Sequence, residues 1–228
     1  MQLLDHGFVR FVEDWGYGDA KIAEAGIIEA ARQSTQGTFR GWERDEALLR
    51  YLYEHKHDSP FEFAGMILEI RAPIMVFREW HRHRTQSYNE MSARFTELPM
   101  LYYTPAIERL MNGKQASKNK QGSVEGFTRE EAFKLQGDII YSCEQSRLSY
   151  KRLLAAGLAR ELARGVLPVF WYSQMRVCAN LRNWLAFLTL RMHPEAQWEI
   201  RMYANAVAEL IAKQFPRTYA LFEEGQQQ

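Results

Sequence analysis

The sixteen residues from Glu79 to Arg94 constrain this chain more than any other stretch. They carry three arginines, two histidines, two glutamates, two serines and amide side chains, with neither glycine nor proline, and their few apolar members follow no clear period. A polar group buried in a core must find a partner or cost stability, so an ordinary core strand or helix does not have this composition. A solvated face does, but this stretch follows directly on the most apolar run of the N-terminal half. Cations and fixed donors beside a hydrophobic element point to a site for an anionic, planar ligand.

The rest of the composition narrows the setting. The 228 residues carry a formal net charge of +1, so no global basic field marks a nucleic-acid polymer as partner. Cys143 and Cys178 sit in no metal or redox spacing and suit a reducing cytosol. The first residues lack the charged-then-apolar order of a signal peptide. No apolar run approaches the ~20 residues of a membrane span. The expectation is a globular, cytoplasmic protein with no membrane partner.

Periodicity predicts a helix-rich chain. Gly7–Trp15 alternates and predicts a strand. After the Gly16-Tyr17-Gly18 turn, Asp19 predicts the N-cap of a helix running to Arg32, and a second helix is expected over residues 44–55. Pro60 breaks the chain there, and residues 61–72, aromatic and branched with Glu69 and Arg71 on an alternating face, predict a strand. Pro73 at a first helical position predicts a short helix over residues 74–83, whose last turn presents Arg82 and His83 where cations complement the helix dipole. Residues 95–103 predict another strand, and residues 112–126 a polar surface loop. Thr128 with Glu131 forms a capping box that opens a long helix to about Ala156, closed by Gly157. Then follow a helix over 159–166, a strand over 169–179, a helix over 181–192 stopped by Pro194, a helix over 195–214, and a tail restarting at Pro216. The strands lack the regular alternation with helices of a doubly wound sheet. The expectation is an α+β fold in one domain spanning residues 1–228, a small antiparallel sheet flanked by several long helices.

No glycine-rich loop of the dinucleotide or P-loop type is present, so a phosphate here would be held by guanidinium groups, hydroxyls and local amides. His81 and His83 with Glu79 or Glu90 have metal-ligand chemistry, but the adjacent arginines raise the electrostatic cost of a dication, and no metal is expected. Ser87 and Ser92 have no nucleophile-elbow context, while Cys143 and Cys178 read as buried, inert thiols. A second polar group comes late in the chain: Arg164, Asn180, Arg182, Arg191, Gln197 and Glu199. Taken singly each reads as solvated or ion-paired. Arginines at several element ends, in two distant segments, favour their convergence.

Arg82-His83-Arg84-x-x-Ser87-x-Asn89-Glu90-x-Ser92-x-Arg94 matches the signature of the flavin-dependent thymidylate synthase family at every fixed position. The resemblance extends over essentially the whole chain. Asp58-Ser59-Pro60-Phe61-Glu62 looks like the family's segment beside the flavin, and Ala163 to Pro168, Asn180-x-Arg182, Phe187-x-x-x-Arg191 and Ala196 to Ile200 are similar to its second half. The resemblance implies a homotetramer with FAD and dUMP in sites shared between subunits. It implies FAD contacts at Ser59, Arg82, His83, Arg84, Glu90, Asn180 and Arg182. It places the nucleotide against Glu79 to Arg82, Glu90, Ser92, Arg94, Arg164 and Arg191, and credits Arg191 with favouring the N3-deprotonated, electron-rich uracil. NADPH reduces the flavin, methylenetetrahydrofolate donates one carbon, and dTMP and tetrahydrofolate leave, without an enzyme cysteine as nucleophile. Four positions depart from the family pattern: Ala186 where Asn or His is common, Glu79 where some members have Gln, Met192 to Glu195 in place of the usual segment, and Phe63 for a frequent histidine. The rival reading is a nucleic-acid or nucleotide-binding module using the same cations with Tyr88 and Phe95 for stacking; the near-neutral charge counts against it.

Overall fold

The computed structural model describes residues 1–17, 23–117 and 120–226. In chain order the elements begin with β1 (Gln2–Leu3), β2 (Gly7–Trp15), α1 (Ala25–Arg32), α2 (Trp42–Glu54) and a 3-10 turn at Ser59–Phe63. β3 (Gly65–Pro73), α3 (Ile74–Trp80), β4 (Ser87–Glu90), α4 (Ile107–Met111) and the small ladder of β5 (Lys114–Gln115) and β6 (Ser123–Val124) follow. The second half holds α5 (Arg129–Ala155), α6 (Arg160–Ala163), a 3-10 turn at Arg164–Val166, β7 (Tyr172–Asn180), α7 (Leu181–Arg191), α8 (Trp198–Gln214) and α9 (Pro216–Gln226). The fold is α+β, as expected.

The main sheet is antiparallel in the order β1-β2-β3-β7-β4. Its two faces differ because side chains alternate along each strand. Met66, Leu68, Ile70 and Ala72 of β3, with Met175, Val177 and Ala179 of β7, are buried together with apolar residues of α7 and α8 in one large core cluster. The other face is polar, with Arg10 opposite Glu69 and Glu69 opposite Arg176 across the ladder. There Glu69 is 6 % exposed and accepts from Arg10 (2.5 Å) and Gln174. An antiparallel sheet tolerates one such uncovered face. Gly65 is required where β2 and β3 meet, because a Cβ there would lie 2.3 Å from the Trp15 ring.

Several local expectations are corrected. Residues 61–63 lie in the 3-10 turn with Pro60 near its start, and the strand begins only at Gly65. Pro73 is the last residue of β3 and caps α3 rather than opening it, and α3 ends at Trp80. Arg82 and His83 therefore lie beyond the helix, and the dipole argument for them lapses. Residues 95–103 form no strand: Phe95 is 81 % exposed, Pro99 lacks the N–H a ladder needs, and only Tyr102 bridges, to Trp171. Cys178 is half-buried on the polar face rather than enclosed, although burial still pushes its thiol pKa up; Cys143 is buried. The Asp19 cap lies outside the described residues. By contrast, the Thr128–Glu131 capping box is present, and Gly157 (φ +83°) closes α5 with Leu158 N–H donating to Leu153 O at 3.0 Å.

Candidate active site

Trp80 fixes where the signature segment goes. Its ring is fully buried, stacked on Phe187 of α7 at 4.5 Å and edge-on to Trp184 and to Tyr203 of α8. The chain leaves α3 over α7 and turns back within six residues. Trp80 Nε1 donates to Gln86 Oε1 (3.0 Å), His83 N–H to Trp80 O (3.0 Å), and the Tyr88 hydroxyl to His83 O (2.7 Å). β4 then pairs with β7, which fixes Glu90 opposite Met175. Residues 81–86 are thereby held against α7, whose last residue is Arg191.

Arg191 is 9 % exposed. Its Nε donates to His83 Nε2 (2.9 Å), one terminal nitrogen to Glu79 Oε2 (2.7 Å) and the other to Glu79 O (2.8 Å). A guanidinium has five N–H donors in a fixed fork, so two remain for a ligand. The bond from Arg191 requires an unprotonated His83, and the site provides one. Burial, and then the Arg191 cation, push the His83 pKa down to about 4, Glu79 opposing only in part. Because the folded value lies below the ordinary 6.5, the unfolded chain binds this proton more readily. Stability is therefore at its full value above about pH 6.5 and falls as pH drops through about 4. We expect that limb of a Tm-versus-pH curve to flatten in His83→Asn; an unchanged limb would assign it to another group.

The other expected residues fall into distinct sets. Glu90 accepts from Ser173 Oγ (2.7 Å) and lies 4.0 Å from His81 Nε2. Ser92 is half-buried and Arg94 exposed on the loop after β4, where Arg94 pairs with Glu161 of α6 (3.3 Å), and Arg164 follows Glu161 by three residues. Asn180 caps α7 by accepting from Asn183 N–H (3.0 Å), which leaves its amide N–H groups open. Arg182 pairs with Glu62 (2.5 Å) and lies 3.8 Å from Asp58, one residue before the exposed Ser59. Beside them a cavity of about 350 Å³ is lined in part by Tyr53, Phe61, Arg182 and Ala186. The guanidinium groups of Arg82, Arg84 and Arg164 are exposed and have no partner among the described residues. Glu79, His83 and Arg191 are thus brought together, whereas no hydrogen bond or ion pair joins them to Ser92, Arg94 or Arg164 among the described residues.

Gln86 and Tyr88 hold the turn at Trp80 and His83, and Ser173 holds Glu90; Gln86 and Ser173 were not legible as site residues, and Tyr88 only as a stacking ring. Gln86 and Tyr88 occupy positions the signature leaves open, and Ser173 is a lone hydroxyl in a strand. Tyr88 also weighs against the nucleic-acid reading: its hydroxyl is tied to the backbone and its ring packs edge-on to His81 at 4.8 Å, so it is no stacking platform.

Residues 18–217 match the family model described as thymidylate synthase complementing protein. The chain is 41 % identical over 222 residues to a flavin-dependent thymidylate synthase of Thermus thermophilus, covering 97 % of this chain and 77 % of that protein. It is 36 % identical over 220 residues to one of Thermotoga neapolitana, covering 96 % and 92 %. The chain belongs to the flavin-dependent thymidylate synthase family. Among solved structures it is similar to the UMP/dUMP methylase PolB of Streptomyces cacaoi bound with 5-Br UMP, at 33 % identity and a TM-score of 0.84 over 98 % of this chain and 96 % of that one.

The residues present fit a flavin dinucleotide. A diphosphate needs cations not already neutralised, and Arg82 and Arg84 meet that need, while Arg182, already paired with two carboxylates, offers directed N–H donors rather than net charge. The open amide of Asn180 adds a donor. Ala186 lines the cavity without a polar group, and Asn183, one turn earlier, donates to Thr85 O (3.3 Å) instead. An apolar cavity of about 470 Å³ beside α4 and α5 is lined by residues such as Leu110, Phe127 and Phe170 and by none of the signature residues.

Among the described residues no cluster of metal-ligating side chains occurs, and no helix is long and apolar enough to cross a membrane.

Proposed function

We propose that this chain converts dUMP to dTMP, with methylenetetrahydrofolate as carbon donor, FAD as the flavin and NADPH as its reductant, in a cytoplasmic homotetramer with shared active sites. The observation that carries this reading is Arg191: a buried guanidinium, fixed by Glu79 and a neutral His83, with two donors left open beside the signature segment. What flavin chemistry supplies is a hydride, since a methylene unit needs two more electrons to become a methyl group and the folate then need not be oxidised.

The open donors of Arg191 can bind one carbonyl edge of uracil and stabilise the charge that builds as the ring becomes electron-rich. Its fork is already oriented, so little reorganisation accompanies that step. Glu79, at a position where a glutamine would both donate and accept, can only accept; it suits uracil that still carries N3–H and leaves the electron-rich form to Arg191. Neutral His83 serves as an acceptor that keeps the fork from turning. Arg82, His83, Arg84, Glu90, Ser59, Asn180 and Arg182 are assigned to the flavin; Glu79, Arg82, Glu90, Ser92, Arg94, Arg164 and Arg191 to the nucleotide. Ser92 is a donor to the nucleotide rather than a nucleophile.

No cysteine nucleophile is needed. The Cys143 thiol is buried in α5, that of Cys178 faces the polar side of the sheet, and burial raises both pKa values. Sharing of sites between subunits is supported by the absence, among the described residues, of any hydrogen bond or ion pair joining Ser92, Arg94 or Arg164 to Arg191, and by the unpaired Arg82, Arg84 and Arg164.

The experiment is an absorbance spectrum of the FAD-titrated protein. A flavin band that bleaches on adding NADPH, and faster with dUMP present, is expected; a protein that takes up no flavin would overturn the reading. Running UMP beside dUMP tests whether the 2′-hydroxyl is tolerated, as the PolB comparison raises.

A further inference from the structure

α5 has 27 residues, about 40 Å of helix at ~1.5 Å per residue, yet Ala132, Cys143 and Tyr150 are its only buried residues. A helix of this length ordinarily draws its stability from packing an apolar stripe. The opposite side carries Phe133, Tyr141 and Leu148, which are 69 %, 67 % and 45 % exposed. At ~100° per residue, Glu130, Phe133, Gly137, Tyr141, Leu148 and Lys151 fall within an arc of about 80°, which also holds Glu144, a carboxylate already paired within the protomer with Tyr102 and Arg147. Single exposed apolar residues need no explanation, but three large ones aligned at intervals of eight and seven along one helix form a seam.

Gly137 lies in the middle of that seam. A Cβ built there meets nothing within 4 Å, so nothing in the protomer calls for a glycine. In a helix interior glycine costs about 1 kcal/mol relative to alanine, and what it offers in return is close approach by another backbone. The ends of the seam carry opposite charges, Glu130 at the N-terminal end and Lys151 at the C-terminal end, both exposed. Glu130 is bonded only to Lys134 on the same helix (2.8 Å), and Lys151 has no hydrogen bond or ion pair among the described residues.

We propose that this face of α5 packs against the same face of a second copy of the chain, antiparallel, about a two-fold axis near residues 140 and 141. In that register Glu130 meets Lys151 of the second copy, Phe133 meets its Leu148, and Tyr141 lies at the axis. The surface is complementary to itself only when reversed, as an isologous contact requires; a parallel pair would set like charges side by side. The proposal rests on the homotetramer reading and names the surface that builds part of it.

The test is the mass in solution of the full chain, by light scattering on a sizing column, with circular dichroism for fold. Wild type is expected as a tetramer and Tyr141→Glu at half that mass or less, with its helix content kept. Glu130→Lys and Lys151→Glu are each expected to shift the population to the smaller species, and the double variant Glu130→Lys/Lys151→Glu to restore the wild-type mass. A Tyr141→Glu protein of wild-type mass would overturn the α5 surface while leaving the tetramer intact. A monomeric wild type would remove the tetramer itself. A double variant no larger than the singles would contradict the antiparallel register, and that variant keeps the seam testable should Tyr141→Glu fail to fold.

Discussion

Arg191→Ala is expected to lower kcat for dTMP formation by at least ~10²-fold, and by up to ~10³-fold, while flavin still binds. The size follows from removing a pre-oriented cation at the place where charge builds on the uracil. The cost in stability is smaller, on the order of 1–2 kcal/mol, because the Glu79 side chain is 42 % exposed and regains water once the ion pair is gone. Arg191→Lys keeps the charge without the fork, so it is expected to recover only part of the activity. Steady-state kinetics beside a flavin titration separate the outcomes. Loss of flavin with activity would move Arg191 to a structural role, and near-wild-type kcat would remove it from the chemistry.

Trp80→Ala is expected to cost about 3–5 kcal/mol, enough to lower Tm by roughly 10 °C in a chain of this size. The indole is fully enclosed between Phe187, Trp184 and Tyr203, so its removal leaves a cavity that the surrounding aromatic rings cannot close. Gln86, 6 % exposed, also loses the shorter of the two hydrogen bonds to its carbonyl oxygen, the other coming from the Tyr88 hydroxyl. Trp80→Phe keeps a ring on Phe187 but loses the indole donor, so about 1–3 kcal/mol is expected. Activity should fall further than stability alone explains, since the turn carrying Arg82 to Arg84 is anchored on this side chain. Thermal unfolding of both variants checks this, and a Trp80→Ala protein with wild-type Tm would show that the turn is held elsewhere.

The parts of the fold readable in advance are those decided by neighbours in sequence. The Thr128–Glu131 box and Gly157 bracket α5 because capping uses groups within five residues of one another. The strand over β2 is legible from its loose alternation, and a strand is expected over residues 169–179, where β7 begins only at Tyr172. β4 is not legible, because Ser87 to Glu90 are polar at nearly every position and pair only through β7, some ninety residues on. Likewise, residues 95–103 look β-prone yet find no partner beyond Tyr102, since pairing is a property of the sheet and not of the segment.

The site divides the same way. The signature announced its cations, but the contact of Arg191 with Glu79 and His83 spans 112 and 108 residues and depends on Trp80 packing against α7. Sequence spacing sets Arg182 and Arg191 on different sides of one helix; the structure gives the consequence, with Arg182 exposed among carboxylates and Arg191 enclosed. The uncovered sheet face, which leaves Cys178 half-buried, shows in the sequence only through Glu69 and Arg71 on alternate positions of β3.

The central claim is tested most directly by product formation. The purified protein, supplied with FAD, NADPH, methylenetetrahydrofolate and dUMP, should yield dTMP and tetrahydrofolate, with no dihydrofolate, and should keep this activity in a Cys143→Ala/Cys178→Ala variant. No dTMP from a flavin-loaded protein, or loss of product in a folded cysteine-free variant, would contradict it.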